Sequence, residues 1–183
     1  MRELSLHILD IAENSIAANA KDIEISIFED TINDTIKIKI QDNGKGIDKE
    51  MLEIISDPFT TSRTTRKVGL GIPLLKAAAE EVNGSFKIDS LRNHGTALEV
   101  SLQRSHIDRM PLGDLPGTFL TLLVSNPDIH WIFMYMIDNE NFLFDSAPIK
   151  KVLGDVSFTE PQILAHIREH IEQGIYQLNV KDN

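Results

Sequence analysis

Asp10 and Asn14 stand four residues apart in LHILDIAENSIAANA, so on a helix a carboxylate and a carboxamide project from one face. The carboxamide supplies a neutral oxygen, the atom type Mg²⁺ prefers, and suits a place where phosphates already bring the negative charge. Asp42 is followed by Asn43-Gly44-Lys45-Gly46. A carboxylate at that strand end can accept from the exocyclic amine of adenine, and Gly44 and Gly46 let the backbone approach a base without a Cβ clash. Lys67 and the backbone of Gly69-Leu70-Gly71 suit phosphate oxygens, because the first N–H groups of a helix and its dipole both favour an anion. In this order the segments make sense as a nucleotide pocket. Taken singly, each has a plainer reading: a solvated helix face, a strand-ending turn, a flexible helix start.

The elements that must position these groups follow from periodicity. Leu4, Ile8, Ile11 and Ser15 form one stripe, with Leu9, Ala12 and Ile16 beside it, which predicts a helix from about residue 4 to 19. Ile23, Ile25, Ile27 and then Ile36, Ile38, Ile40 alternate with polar residues around Asn33-Asp34, a β-hairpin ending at Gln41-Asp42. A short helix near 49–56, a polar loop DPFTTSRTTRKV, and a helix from Gly69 to Val82 stopped by Asn83-Gly84 come next. Residues 85–91 and 96–103 read as a second hairpin. The succession predicts an α+β two-layer sandwich, a mostly antiparallel mixed sheet with helices on one face, over residues 1–104.

A linker, 105–117, holds two prolines and two glycines with its flanks and turns the chain. Beyond it, a small α+β region, 118–183, is expected: a helix near 115–124, strands at 129–137 and 141–144, and two helices, the last opened by Thr159, Pro161 and Gln162. Trp131, Phe133, Tyr135 and Phe142 to Phe144 fit hairpin core. His7, three residues before Asp10, reads as a surface or capping histidine.

The formal charge of −10 argues against a general nucleic-acid surface, which needs cationic patches to displace counterions. The absence of cysteine removes disulfides, thiolate metal sites and thiol nucleophiles, and favours a cytoplasmic location. No apolar run approaches the length of a membrane span, and the N-terminus lacks signal-peptide organisation, so no membrane partner is expected.

On these residues the chain resembles the ATP-binding fold shared by gyrase B, the Hsp90 chaperones, sensor histidine kinases and MutL, the GHKL superfamily, with its Bergerat-type sandwich. DIAENSIAANA is similar to the N box, DNGKGI to the first glycine box, DPFTTSR to the phenylalanine box of histidine kinases, GLGI to the second glycine box, and HGT to the last turn, across residues 4 to 103. Several motifs in order carry more weight than one DxGxG. The resemblance implies ATP with Mg²⁺ under a cover spanning Thr60 to Val68. It implies Asn14 as the magnesium ligand and Asp42 as the adenine aspartate. Gly44, Gly46 and Ile47 would lie on the base side, Gly69, Leu70 and Gly71 on the phosphate side, and Thr96 at the adenine-site water. Asp10 falls where ATPase members place a general-base glutamate and histidine kinases usually an asparagine. Being one methylene shorter, it holds a base back from an attacking water.

Three functions are then open. One is a histidine-kinase-like or anti-sigma-like kinase that acts on a separate protein phosphoacceptor, since only three residues precede the first helix. The second is a non-enzymatic ATP sensor whose partner binding changes with nucleotide. The third is a slow ATPase of the gyrase or MutL type. Residues 105–183 are expected to recognise a protein partner or form a homodimer.

Overall fold

The computed structural model describes residues 3–56, 71–154, 156 and 158–181. Lys67, Gly69, Leu70, Arg63, Arg66, the DPFTTSR segment and the Thr60 to Val68 cover lie outside the described residues.

Isoleucine alternation produces the central hairpin. Strands β1 (Asp22–Asp30) and β2 (Thr35–Asp42) bury Ile23, Ile25, Ile27 and Ile36, Ile38, Ile40 on one face. The strand period of two requires this arrangement once one face is covered. A second hairpin, β3 (Ser85–Leu91) and β4 (Gly95–Gln103), joins through β4 to β2, with Asp42 opposite Thr96.

The chain then returns to the other side of β1. Strand β5 (His130–Ile137) pairs with β1 in parallel, from Asp22 opposite His130 to Glu29 opposite Ile137, and β6 (Glu140–Asp145) closes the sheet as its edge. The six-stranded order is β3-β4-β2-β1-β5-β6, and β1–β5 is its parallel pair. The small C-terminal region therefore adds its strands to the sheet that carries the N-terminal motifs.

Helices cover the isoleucine face. α1 (Leu4–Ala17) lays Leu4, Ile8, Ile11 and Ala12 on it. α2 (Lys49–Ser56) sits near β3, and α3 (Gly71–Glu81) packs on α1, β3 and β4. α4 (Leu115–Ser125) continues the layer between α1 and α6 (Pro161–Lys181). Its Asp114 cap accepts from Gly117 N–H at 2.9 Å. α5 (Ser146–Leu153) follows β6 directly. Under α4, Phe119 meets Phe133 and Phe144 with ring centroids 5.2 and 5.1 Å apart, and Trp131 and Tyr135 are fully buried. Offset and edge-on aromatic contacts of this kind stabilise a core by about 0.5–1.5 kcal/mol each beyond area burial.

At the end of β1 away from the motifs, buried Glu29 accepts from Arg104 Nε at 2.8 Å and from the Tyr135 hydroxyl. Burial, followed by the Glu29 carboxylate, pushes the Tyr135 hydroxyl above its ordinary range. Among the described residues no helix is long and apolar enough to cross a membrane.

Candidate functional site

α1, the end of β2, the loop after it, α2 and the β3–β4 hairpin surround a cavity of about 190 Å³. Asn14, Asp42, Gly46, Ile47 and Thr96 all line it, between the apolar walls Ile40, Ile72 and Leu98. Its size is below the roughly 300–1,000 Å³ of pockets for whole ligands, and matches one end of a larger site. Sequence positions far apart thus meet because the C-terminal part of α1, with Asn14 half-buried, packs at the end of β2, where Ser15 bonds Asp42.

Asp42 is held before any ligand arrives. It is 9% exposed, its Oδ2 accepts from Ser15 Oγ at 2.7 Å and its Oδ1 from Gly44 N–H at 2.8 Å. A carboxylate has about four acceptor positions, so two remain for another donor. Ser15 carries no motif signal, yet its place in the α1 stripe, one residue after Asn14, aims it at the sheet.

Thr96 faces Asp42 across the ladder and its Oγ1 lies 3.0 Å from Ser90 Oγ. Ser90 donates to the Gly95 carbonyl at 3.0 Å and accepts from Ile47 N–H at 2.8 Å. Because a serine hydroxyl has one proton, which Ser90 gives to Gly95, the proton in the pair comes from Thr96. Ser90, like Ser15, was not a sequence candidate.

The glycines answer first to the protein. At Gly46 φ is +67°, and a Cβ would stand 2.2 Å from the Leu91 carbonyl oxygen. At Gly95, φ +100°, a Cβ would stand 1.9 Å from the carbonyl oxygen of Asp42. Both positions require a residue without a side chain, because backbone on the neighbouring strand occupies the space. A Cβ at Gly44 would lie 2.9 Å from Ala18 Cβ. The expected approach to a base thus has a second cause in close packing of loop, helix and hairpin.

Asp10 is outside the cavity lining. Its side chain lies against Gly71, where a Cβ would be 2.9 Å from Asp10 Cβ and 3.1 Å from its Oδ2. One turn earlier, His7 is 2% exposed, not the surface or capping histidine expected. It occupies the same α1 stripe as Leu4, Ile8 and Ile11, which carries it under α3. It hydrogen-bonds the backbone of Gly71, and its Nδ1 has no hydrogen-bond partner among the described residues. Burial pushes its pKa down, against the opposing pull of Asp10, which favours the neutral ring. His7, Asp10 and Gly71 form a separate group outside the cavity lining.

Among the described residues no set of three or more His, Cys, Asp or Glu can hold a metal ion. Asn14 brings a neutral oxygen to the cavity, a donor type suited to an ion held mainly by a ligand's own oxygens and water.

A family model described as histidine kinase-, DNA gyrase B-, and HSP90-like ATPase matches residues 2–106. The chain is 33% identical over 95 residues to sporulation kinase D of Bacillus subtilis, covering 52% of this chain and 19% of that protein. It is 32% identical over 80 residues to a probable C4-dicarboxylate sensor kinase of Halalkalibacterium halodurans, 44% of this chain and 15% of that one. The chain thus spans less than a fifth of either relative. In fold it is similar to the Aquifex aeolicus MutL ATPase domain, solved with ADP, at a TM-score of 0.50 and 14% identity over 82% of this chain and 67% of that chain.

Proposed function

We propose that this chain, which belongs to the histidine kinase-, DNA gyrase B- and HSP90-like ATPase family, binds ATP with Mg²⁺ in the cavity beside α1 and transfers the γ-phosphoryl group to a separate protein. The observation that carries this reading is the meeting of Asn14, Asp42, Gly46 and Thr96 in one cavity from three sequence segments. In this reading Asp42 accepts from the adenine amine, and Thr96 supplies acceptor lone pairs beside it. An adenine donor matches these groups, whereas the carbonyl that guanine presents at the same position would face the Asp42 carboxylate. Asn14 would hold Mg²⁺, which when bound neutralises phosphate charge. The Gly71 turn, together with Lys67, Gly69 and Leu70, would receive the phosphates at the start of α3.

In the transfer the bond between the γ-phosphorus and the oxygen bridging it to the β-phosphate breaks. A bond from an acceptor side chain to that phosphorus forms, ADP leaves, and the acceptor's proton goes to solvent or to Asp10. Catalysis of such a step is chiefly positioning and charge stabilisation.

A second reading, a nucleotide sensor without turnover, is favoured by Asp10. Its short side chain rests on Gly71, outside the cavity lining. Incubation with γ-labelled ATP, alone and with candidate proteins, separates the readings. Label on a partner supports transfer, free phosphate alone supports hydrolysis, and tight binding with neither supports the sensor. Asn14→Ala is expected to abolish Mg²⁺-dependent ATP binding in calorimetry, and unchanged affinity would overturn the pocket assignment.

A further inference from the structure

The loop that follows Asp42 is tied to the C-terminal region by an unbroken series of hydrogen bonds. Asn43 Oδ1 accepts from Lys21 N–H at 2.8 Å and from Asp22 N–H at 2.9 Å. Asn43 Nδ2 donates to Asp22 Oδ2, and its backbone N–H reaches the Asp22 carbonyl at 3.3 Å. The other oxygen of Asp22 meets His130 Nδ1 at 2.9 Å, and His130 Nε2 meets Asp145 Oδ1, also at 2.9 Å. Asp145 in turn caps α5, accepting from Ala147 N–H at 2.8 Å. Every residue from Asn43 to α5 is therefore held by the one before it.

We propose that His130 is a positioning residue for the base end of the nucleotide cavity, acting through Asp22 and Asn43, so that the region formed by β5, β6 and α5 sets nucleotide affinity. The inference rests on the reading of the cavity as an ATP site.

The chemistry of the ring explains why it is a histidine. A neutral imidazole has one N–H and can donate to only one of the two carboxylates, while its bare nitrogen faces the other. The protonated ring donates to both. Burial works against that charge, but the hydrogen bonds and charges of Asp145 and Asp22 outweigh it and raise the His130 pKa. The other charged or titratable groups nearby are Glu24, Asp42 and His94, which line the same groove, and Lys150, whose Nζ donates to the neighbouring Ile129 carbonyl at 2.7 Å. No second cation reaches Asp22 in the described network, so loss of the His130 proton releases one end of the series. Asp22 is 58% exposed, which limits the coupling to the modest range of solvent-screened pairs.

The test uses the full chain. ATP affinity measured from pH 5.5 to 8.5 should fall by about two- to fivefold more in the wild type than in His130→Gln as pH rises through the raised pKa, the size expected for partly exposed pairs. The variant His166→Gln, an exposed site on α6, should follow the wild type. Without nucleotide, the Asn43 side-chain amide resonances should titrate with the His130 midpoint and cease to do so in His130→Gln. Superimposable affinity profiles in wild type and His130→Gln would overturn the proposal, as would Asn43 resonances indifferent to His130. Absence of ATP binding by the wild type at every pH would instead defeat the functional reading, and the Asn43 titration would still decide whether the connection exists.

Discussion

Two histidines near the candidate site are set up in opposite ways. His130, joined through Asp22 and Asn43 to the loop after Asp42, is held between two carboxylates and favours its proton. His7, under the Gly71 turn, is buried with one nitrogen unpartnered among the described residues and favours the neutral ring. The difference extends to their surroundings. Around Asp42 the protein holds its polar groups in place through Ser15, Gly44, Ser90 and Thr96, so this part of the cavity is organised by the protein's own hydrogen bonds. At the Asp10 end a buried polar atom is left over, an arrangement that costs about 1–3 kcal/mol and is uncommon in folded proteins. The Asp42 end offers open acceptor positions on a carboxylate that the protein already holds, and the other end keeps one buried nitrogen unpartnered among the described residues.

The largest test of that contrast is Asp42→Ala. It removes the acceptor offered to adenine and strands Ser15 Oγ and Gly44 N–H together, so ATP affinity should fall by about a hundredfold or more, the scale of losing a site built to hydrogen-bond its ligand. Calorimetric affinity within tenfold of wild type would show that the base end is less organised than its hydrogen bonds imply.

At the other end, Asp10→Glu should raise phosphate release by about tenfold if reach is what holds the carboxylate back, a partial share of the roughly 10² to 10⁴ that a fully placed general base contributes. An unchanged rate counts against Asp10 as a base in waiting, and a loss of folding would trace to the close contact with Gly71.

The smallest effect concerns pH. The His7 pKa is depressed in the fold, so the unfolded chain binds the extra proton as pH falls below about 6.5, and stability drops there. His130 has the opposite sign: its contribution is full below about 6.5 and is lost as pH rises through its raised pKa. Chemical denaturation of His7→Leu should show a shallower acid decline than wild type. Its stability at pH 7 should lie within about 1 kcal/mol, because the variant removes an orphaned polar atom along with one hydrogen bond. An acid limb identical to wild type would mean that other groups carry it.

Much of this organisation is legible in the sequence, for identifiable reasons. The isoleucine alternation of β1 and β2 and the α1 stripe appear as local periodicities, and the helices and hairpins follow within a few residues. The cavity residues were legible because their order matches a known family. The β1–β5 pairing was not, since it joins segments about a hundred positions apart and leaves no local signature. Ser15 and Ser90 were hidden because a hydroxyl that supports another side chain has no motif of its own. His7 could have been found: positions 4, 7, 8 and 11 share one helical face, and three of them are plainly apolar. Its titratable ring hid a core position behind a polar residue type.

The parallel pairing of β1 with β5 also governs how the chain can be made. Strand β1 is central in the finished sheet, but until residues 130–137 emerge one of its sides presents unpaired N–H and C=O groups. A nascent chain carrying only the family-matched part would hold an open strand edge, the kind of surface that recruits other chains into aggregates. Closing the long loop between them is entropically slow compared with forming either hairpin. The C-terminal strands therefore act as an internal shield for an edge that the N-terminal strands leave open.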